Sequence, residues 1–188
     1  GPPGAPNWHS MPSNPHPGLA YLPAQNIPLT LMDDKAWKFN ENVPARPHAA
    51  LGWNTAMFIN AEPPKSKPMG RLVAWDPVAQ KEAWGVEHVS PWNGGTLTTA
   101  GNLVFQGTAD GRLAAYNAKT GEKLWETATG TGVVAAPATY MVDGKQYVSI
   151  AVGWGGVYGL AARATERQGA GTVYTFVVGG NAAKPQVG

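Results

Sequence analysis

The stretch GRLAAYNAKTGEKLW, residues 111–125, has a counterpart in GRLVAWDPVAQKEAW, residues 70–84. Gly70, Arg71, Leu72, Ala74, Asp76 and Trp84 fall on Gly111, Arg112, Leu113, Ala115, Asn117 and Trp125, so the phrase recurs after 125 − 84 = 41 residues. A period of about 40–45 residues is that of a four-stranded propeller blade. Between the two tryptophans, AG, TADG and NAKTG are turn chemistry, in which Gly supplies positive φ and Asp or Asn tolerates it. They separate four expected strands at 95–99, 102–107, 111–116 and 122–127. The fold class read from this repeat is all-β, a partial β-propeller. In such a blade an indole on the outermost strand packs flat over the next blade's turn and buries about 150–250 Å². That is the role expected of Trp84 and Trp125, and Gln80, which stands where the second copy has Gly121, predicts a looser turn in the first copy.

Outward from the repeat, VDGKQ at 142–146 reads as a hairpin turn between apolar runs, GGVYGL at 155–160 as a further strand and GTVYTFVV at 171–178 as the last one. Upstream, Asn14-Pro15 and Pro17-Gly18 form a turn ahead of a strand at 19–23. Residues 26–69 are Pro-punctuated and weakly periodic and read as a long loop insertion, a length at which loops are usually functional. The propeller region is thus 1–180, with 181–188 a tail or linker. One complete blade and parts of others fall short of the roughly 4–8 that close a ring. Blades from the same precursor or a second chain are expected to complete it.

Composition supports this and removes other classes. Apolar residues make up 43% of the 188, enough for a core, while 24 Gly and 8 Trp with only 14% charged residues favour short strands and tight turns. The net charge of +2 comes without a basic cluster, which argues against nucleic acid as a partner. No apolar run reaches the roughly 20 residues that span a bilayer. With no Cys there is no disulfide, thiolate metal site or covalent c-type haem attachment in this stretch.

AAYNAKTGEKLW, at 114–125, resembles the tryptophan-docking motif of the eight-bladed quinoprotein alcohol dehydrogenases that use pyrroloquinoline quinone (PQQ). PWNGGTLTTAGNLVFQGTADGRLAAYNAKTGEKLW (91–125), NWHSMPSNPHPGLAYLPAQ (7–25) and YVSIAVGWGGVYGL (147–160) resemble, in turn, that family's penultimate blade, cofactor-site segment and last blade. The resemblance implies the last blades of the propeller of a periplasmic quinohaemoprotein-type alcohol dehydrogenase, oxidising primary or secondary alcohols to aldehydes or ketones.

The same resemblance implies Asn7, Trp8, Trp92, Asn93 and Val157 as the cofactor-binding residues, Val157 through its main-chain N–H. A planar, anionic tricarboxylate calls for amide donors, flat aromatic walls and glycines that let main chain approach. The catalytic base and the Ca²⁺ ligands of the family have no matching position here, so the catalytic and metal residues expected in this chain are none. A cytochrome-type electron acceptor is implied, as is a haem c in an adjoining domain. Each residue also has a plainer role: Asn7 as a turn cap, Trp92 as inter-blade packing, the four histidines as surface or loop residues and Asp33-Asp34 as a solvated pair. The docking motifs alone also fit a non-catalytic β-propeller scaffold or protein-binding segment, and a self-assembling fragment.

Overall fold

The computed structural model describes residues 4–28, 35, 38, 69–153 and 171–183. Within them lie eleven strands: β1 (Ser13–Asn14), β2 (Leu19–Gln25), β3 (Gly70–Asp76), β4 (Lys81–His88), β5 (Thr96–Thr98), β6 (Leu103–Thr108), β7 (Arg112–Asn117), β8 (Lys123–Ala128), β9 (Ala138–Val142), β10 (Lys145–Val152) and β11 (Thr172–Val177). They form antiparallel sheets in the orders β1-β2-β3-β4, β5-β6-β7-β8 and β11-β10-β9. The sequence predicted one complete blade, and the structure has two. The missed one depends on β2 pairing with β3 from Ala20↔Trp75 to Gln25↔Gly70, across the long insertion. Asn26 N–H donates to the Met69 carbonyl at 2.7 Å and closes the neck of that excursion. Most of the insertion, including the aromatic residues in it, and the strand expected at 155–160 lie outside the described residues.

The two copies of the repeat fold alike to the level of single bonds. Asp76 Oδ1 accepts from the N–H groups of Val78 and Ala79, both at 2.9 Å. Asn117 Oδ1 accepts from those of Lys119 and Thr120 at 2.9 and 3.2 Å. Each sheet carries a register shift at the same place, between Ala74 and Trp75 and between Ala115 and Tyr116. The looser turn expected at Gln80 is not what forms: Gln80 takes φ 53°, close to the 76° of Gly121. The Asx bonds hold the turn closed, and the side chain absorbs the cost of the left-handed conformation. Gln80→Gly is therefore expected to raise stability by about 0.5 kcal/mol, the released strain exceeding the added unfolded-state entropy. A urea melt of the variant checks the sign.

The sheets pack face to face. Leu19, Tyr21, Leu72 and Ala74 from the first meet Val104, Ala114, Tyr116 and Ala118 from the second. Leu113, on the opposite face of β7, packs with Ile150, Val152 and Tyr174 of the third and with Val133 from the segment between β8 and β9. The middle sheet is thus covered on both faces, which explains the unbroken burial from Leu113 to Tyr116. Trp84 docks as expected. A Cβ at Gly121 would lie 2.6 Å from its ring, and its Nε1–H donates to the Ala118 carbonyl at 3.0 Å. Among the described residues Trp125 does not repeat that geometry: it is 40% exposed, meets Phe176 edge-on at 5.4 Å and borders a cleft of about 480 Å³ beside Leu124, Val177 and Gly179.

Candidate functional site

Two short loops far apart in sequence meet beside the first strand of the middle sheet. One is Asn7-Trp8-His9-Ser10, the other Trp92-Asn93-Gly94-Gly95. Ser10 and Thr96 staple them together, although 86 residues separate the two: Ser10 Oγ donates to the Thr96 carbonyl at 2.7 Å, and Thr96 N–H and Oγ1 donate to the Ser10 carbonyl at 3.2 and 3.1 Å. The approach is possible only because residue 95 is glycine. A Cβ there would lie 2.6 Å from Ser10 Oγ and 3.0 Å from Ser10 N. Gly94 is equally confined, 2.7 Å from the Ala135 carbonyl by the same measure.

The structure thus brings together four of the five residues singled out from the sequence. Trp8 is 64% exposed and presents an indole face to solvent. Asn7 is exposed beside it, and its Oδ1 accepts the Trp8 N–H at 2.8 Å. Trp92 is partly buried. Asn93 is buried and works inward, its Nδ2 donating to the Ser90 carbonyl at 2.7 Å and its Oδ1 accepting the Ala109 N–H at 3.2 Å. It fixes the turn that carries Trp92. Val157 lies outside the described residues.

Histidines supply what sequence reasoning missed. Their default as surface or loop residues is overturned for His88, which is 7% exposed within a strand. His9 lies in a loop as expected but is buried there at 5% exposure. His9 stacks on Trp8 at 4.1 Å and meets Trp92 edge-on at 5.7 Å. His88 Nε2 lies 2.9 Å from Gln106 Oε1, and Gln106 Nε2 donates to the Gly94 carbonyl at 3.0 Å. A relay of buried amide and imidazole therefore supports the glycine turn from below, with Nε2 of His88 as the proton-bearing nitrogen. The only sequence signal was position: His88 ends a strand two residues before Ser90-Pro91, and His9 follows Trp8 directly.

Burial holds the pKa of both His9 and His88 below the ordinary 6.5. For His88 the Gln106 bond opposes that shift, and the Arg112 charge adds to it. Unfolding frees both rings to take up protons near 6.5, so stability is flat above that value and falls as pH drops below it towards the native values. Urea midpoints from about pH 8 to about pH 5 should show this decline, shallower in His88→Leu, which removes one of the two groups.

The site suits a flat, polar ligand. It offers an exposed indole, a carboxamide, and glycines where a side chain would collide with main chain. Neither loop contains Lys or Arg, so neither supplies a counter-charge for an anion. Among the described residues no three His, Asp or Glu side chains are grouped to hold a metal.

The sequence profile of the glucose/ethanol/alcohol dehydrogenase β-propeller domain, a PQQ family, matches residues 1–148. The chain belongs to this family. Among PQQ dehydrogenase relatives, the quinohemoprotein alcohol dehydrogenase of Comamonas testosteroni is 77% identical over 186 residues, which cover 99% of this chain and 26% of the relative. The 1-butanol dehydrogenase (cytochrome c) of Thauera butanivorans is 64% identical over 179 residues, covering 95% and 26% respectively. The crystal structure of the Comamonas testosteroni enzyme superposes with a TM-score of 0.86 at 76% identity, covering all of this chain and 28% of that one. The chain therefore spans about a quarter of the length of the relatives it matches, and the all-β, partial-propeller fold class holds.

Proposed function

We propose that this chain is the C-terminal segment of a PQQ- and Ca²⁺-dependent alcohol dehydrogenase that oxidises primary or secondary alcohols to aldehydes or ketones. The observation that carries the reading is the convergence of Asn7-Trp8 with Trp92-Asn93 on one glycine-lined turn. Bound PQQ supplies the acceptor for the electron pair leaving the alcohol. Within this chain Trp8 and Trp92 offer flat apolar contact and exclude water, Asn7 offers a carboxamide at the rim, and Asn93 holds the Trp92 turn. Val157 N–H is proposed as a further donor on the strength of the family motif. The base and the Ca²⁺ ligands belong to the rest of the protein, so this segment alone is inactive.

The remaining propeller blades are the proposed partner. The third sheet has three strands among the described residues where the other two have four, and the strand expected at 155–160 lies outside them. A cytochrome-type acceptor and an adjoining haem c domain are proposed from the names of the relatives, and a periplasmic location from the family resemblance.

Reconstitution of the full-length apoprotein with PQQ, followed by tryptophan fluorescence, tests the assignment. Trp8→Ala should weaken PQQ binding about tenfold, the size of one lost stacking contact. Trp125→Ala, outside the site, should leave it unchanged. Equal affinity of Trp8→Ala and wild type would remove this face from the cofactor pocket.

A further inference from the structure

His9 occupies an expensive position. His9 is only 5% exposed, yet its Nε2 has no hydrogen-bond partner among the described residues. A buried polar atom left unpaired destabilises the fold, so folding alone favours an apolar ring of the same shape there. What the imidazole does touch is two indoles: stacked on Trp8 at 4.1 Å with 21° between planes, and edge-on to Trp92 at 5.7 Å and 66°. Trp8 would otherwise be a largely exposed side chain free to rotate, and its neighbour Asn7 bonds only its main chain in this pair.

We infer that His9 is a positioning residue, a flat wedge that fixes the mutual orientation of the Trp8 and Trp92 indoles before any ligand arrives. The inference rests on the reading of this face as part of the PQQ pocket for its consequence, not for its geometry. A pre-set pair of indoles binds a planar ligand without first losing rotamer freedom. The shape of the ring is what does this, and the unpaired nitrogen contributes nothing to it.

The test compares His9→Phe with His9→Leu in the full-length apoprotein. Phe keeps a flat ring and removes the orphan nitrogen; Leu fills the space without a flat ring. Two readouts are taken, near-ultraviolet circular dichroism of the unloaded protein and PQQ affinity by fluorescence titration. His9→Phe should keep the wild-type dichroism, bind PQQ within about threefold of wild type and unfold at a higher temperature. His9→Leu should alter the indole dichroism and weaken PQQ binding about tenfold. The wedge is overturned if His9→Leu leaves the dichroism unchanged, or if His9→Phe loses PQQ as severely as His9→Leu, because the nitrogen and not the ring would then matter. Failure of the wild-type apoprotein to take up PQQ overturns the cofactor reading instead, and the dichroism still decides the wedge. If His9→Leu does not fold, His9→Met replaces it in both readouts.

Discussion

Replacing Trp84 with Ala is expected to lower the unfolding free energy of the propeller by about 3 kcal/mol, at the lower end of the range for removing a buried aromatic ring because the indole keeps some exposure. Three contacts are lost together. The ring covers the Gly121 turn, packs against Tyr21 at 5.8 Å and donates to the Ala118 carbonyl. That carbonyl also accepts from Tyr21 Oη at 2.9 Å, so both its lone pairs are used and the turn is tied to the first sheet at two points. Trp84→Phe separates the terms. It keeps a ring over Gly121 but removes the N–H together with part of the indole's area, so its cost is about 1–2 kcal/mol. Urea unfolding of both variants measures the difference, and a Trp84→Ala effect below that of Trp84→Phe would show that docking does not hold the sheets together. Trp125→Ala should be the milder of the two alanine variants, because that ring is 40% exposed and meets Phe176 only by its edge.

The 41-residue phrase made the strands legible because each ends in turn chemistry that acts locally. Gly111 and Gly121 adopt φ 88° and 76°, and Asp76 and Asn117 each cap their own turn. The same locality misled at Gln80, where tolerance of positive φ depends on bonds made by Asp76, four residues away. What was not legible is what depends on distant partners. The β2–β3 pairing joins residues separated by the whole insertion, and nothing in LAYLPAQ specifies GRLVAWD as its neighbour beyond a period-2 apolar pattern that many strands share. All five candidate site residues came through the resemblance, and four of them lie among the described residues. His9 was not found that way, because a histidine in a Pro- and Ser-rich segment carries no periodicity, and its burial arises only when Trp92 arrives from the other loop.

Gly70→Ala should cost about 3 kcal/mol. Gly70 opens β3 within a regular ladder, opposite Gln25 on one side and His88 on the other. An alanine in such a strand would ordinarily gain a few tenths to about 1 kcal/mol through the unfolded state. Here a Cβ would overlap the Ser90 carbonyl oxygen and lie 2.8 Å from Asn93 Nδ2 and 3.0 Å from Pro91 Cα. Two of those atoms are main chain in a turn held by the Asn93–Ser90 bond, so relief requires moving the turn itself. Strain exceeds the entropic gain, and the displaced turn is the one that carries Trp92. The variant should therefore lose PQQ affinity along with stability, whereas a purely structural defect would lower the unfolding midpoint and leave affinity of the folded fraction intact. Gly85→Ala is the control within the same sheet. Its Cβ would meet only the ends of the Arg71 and Glu82 side chains, at an exposed position of an outer strand, where both can swing aside. That variant should stay within about 0.5 kcal/mol of wild type and keep full affinity. If Gly70→Ala behaved like Gly85→Ala, the packing of β3 beneath the Ser90–Gly95 turn would not be what positions Trp92.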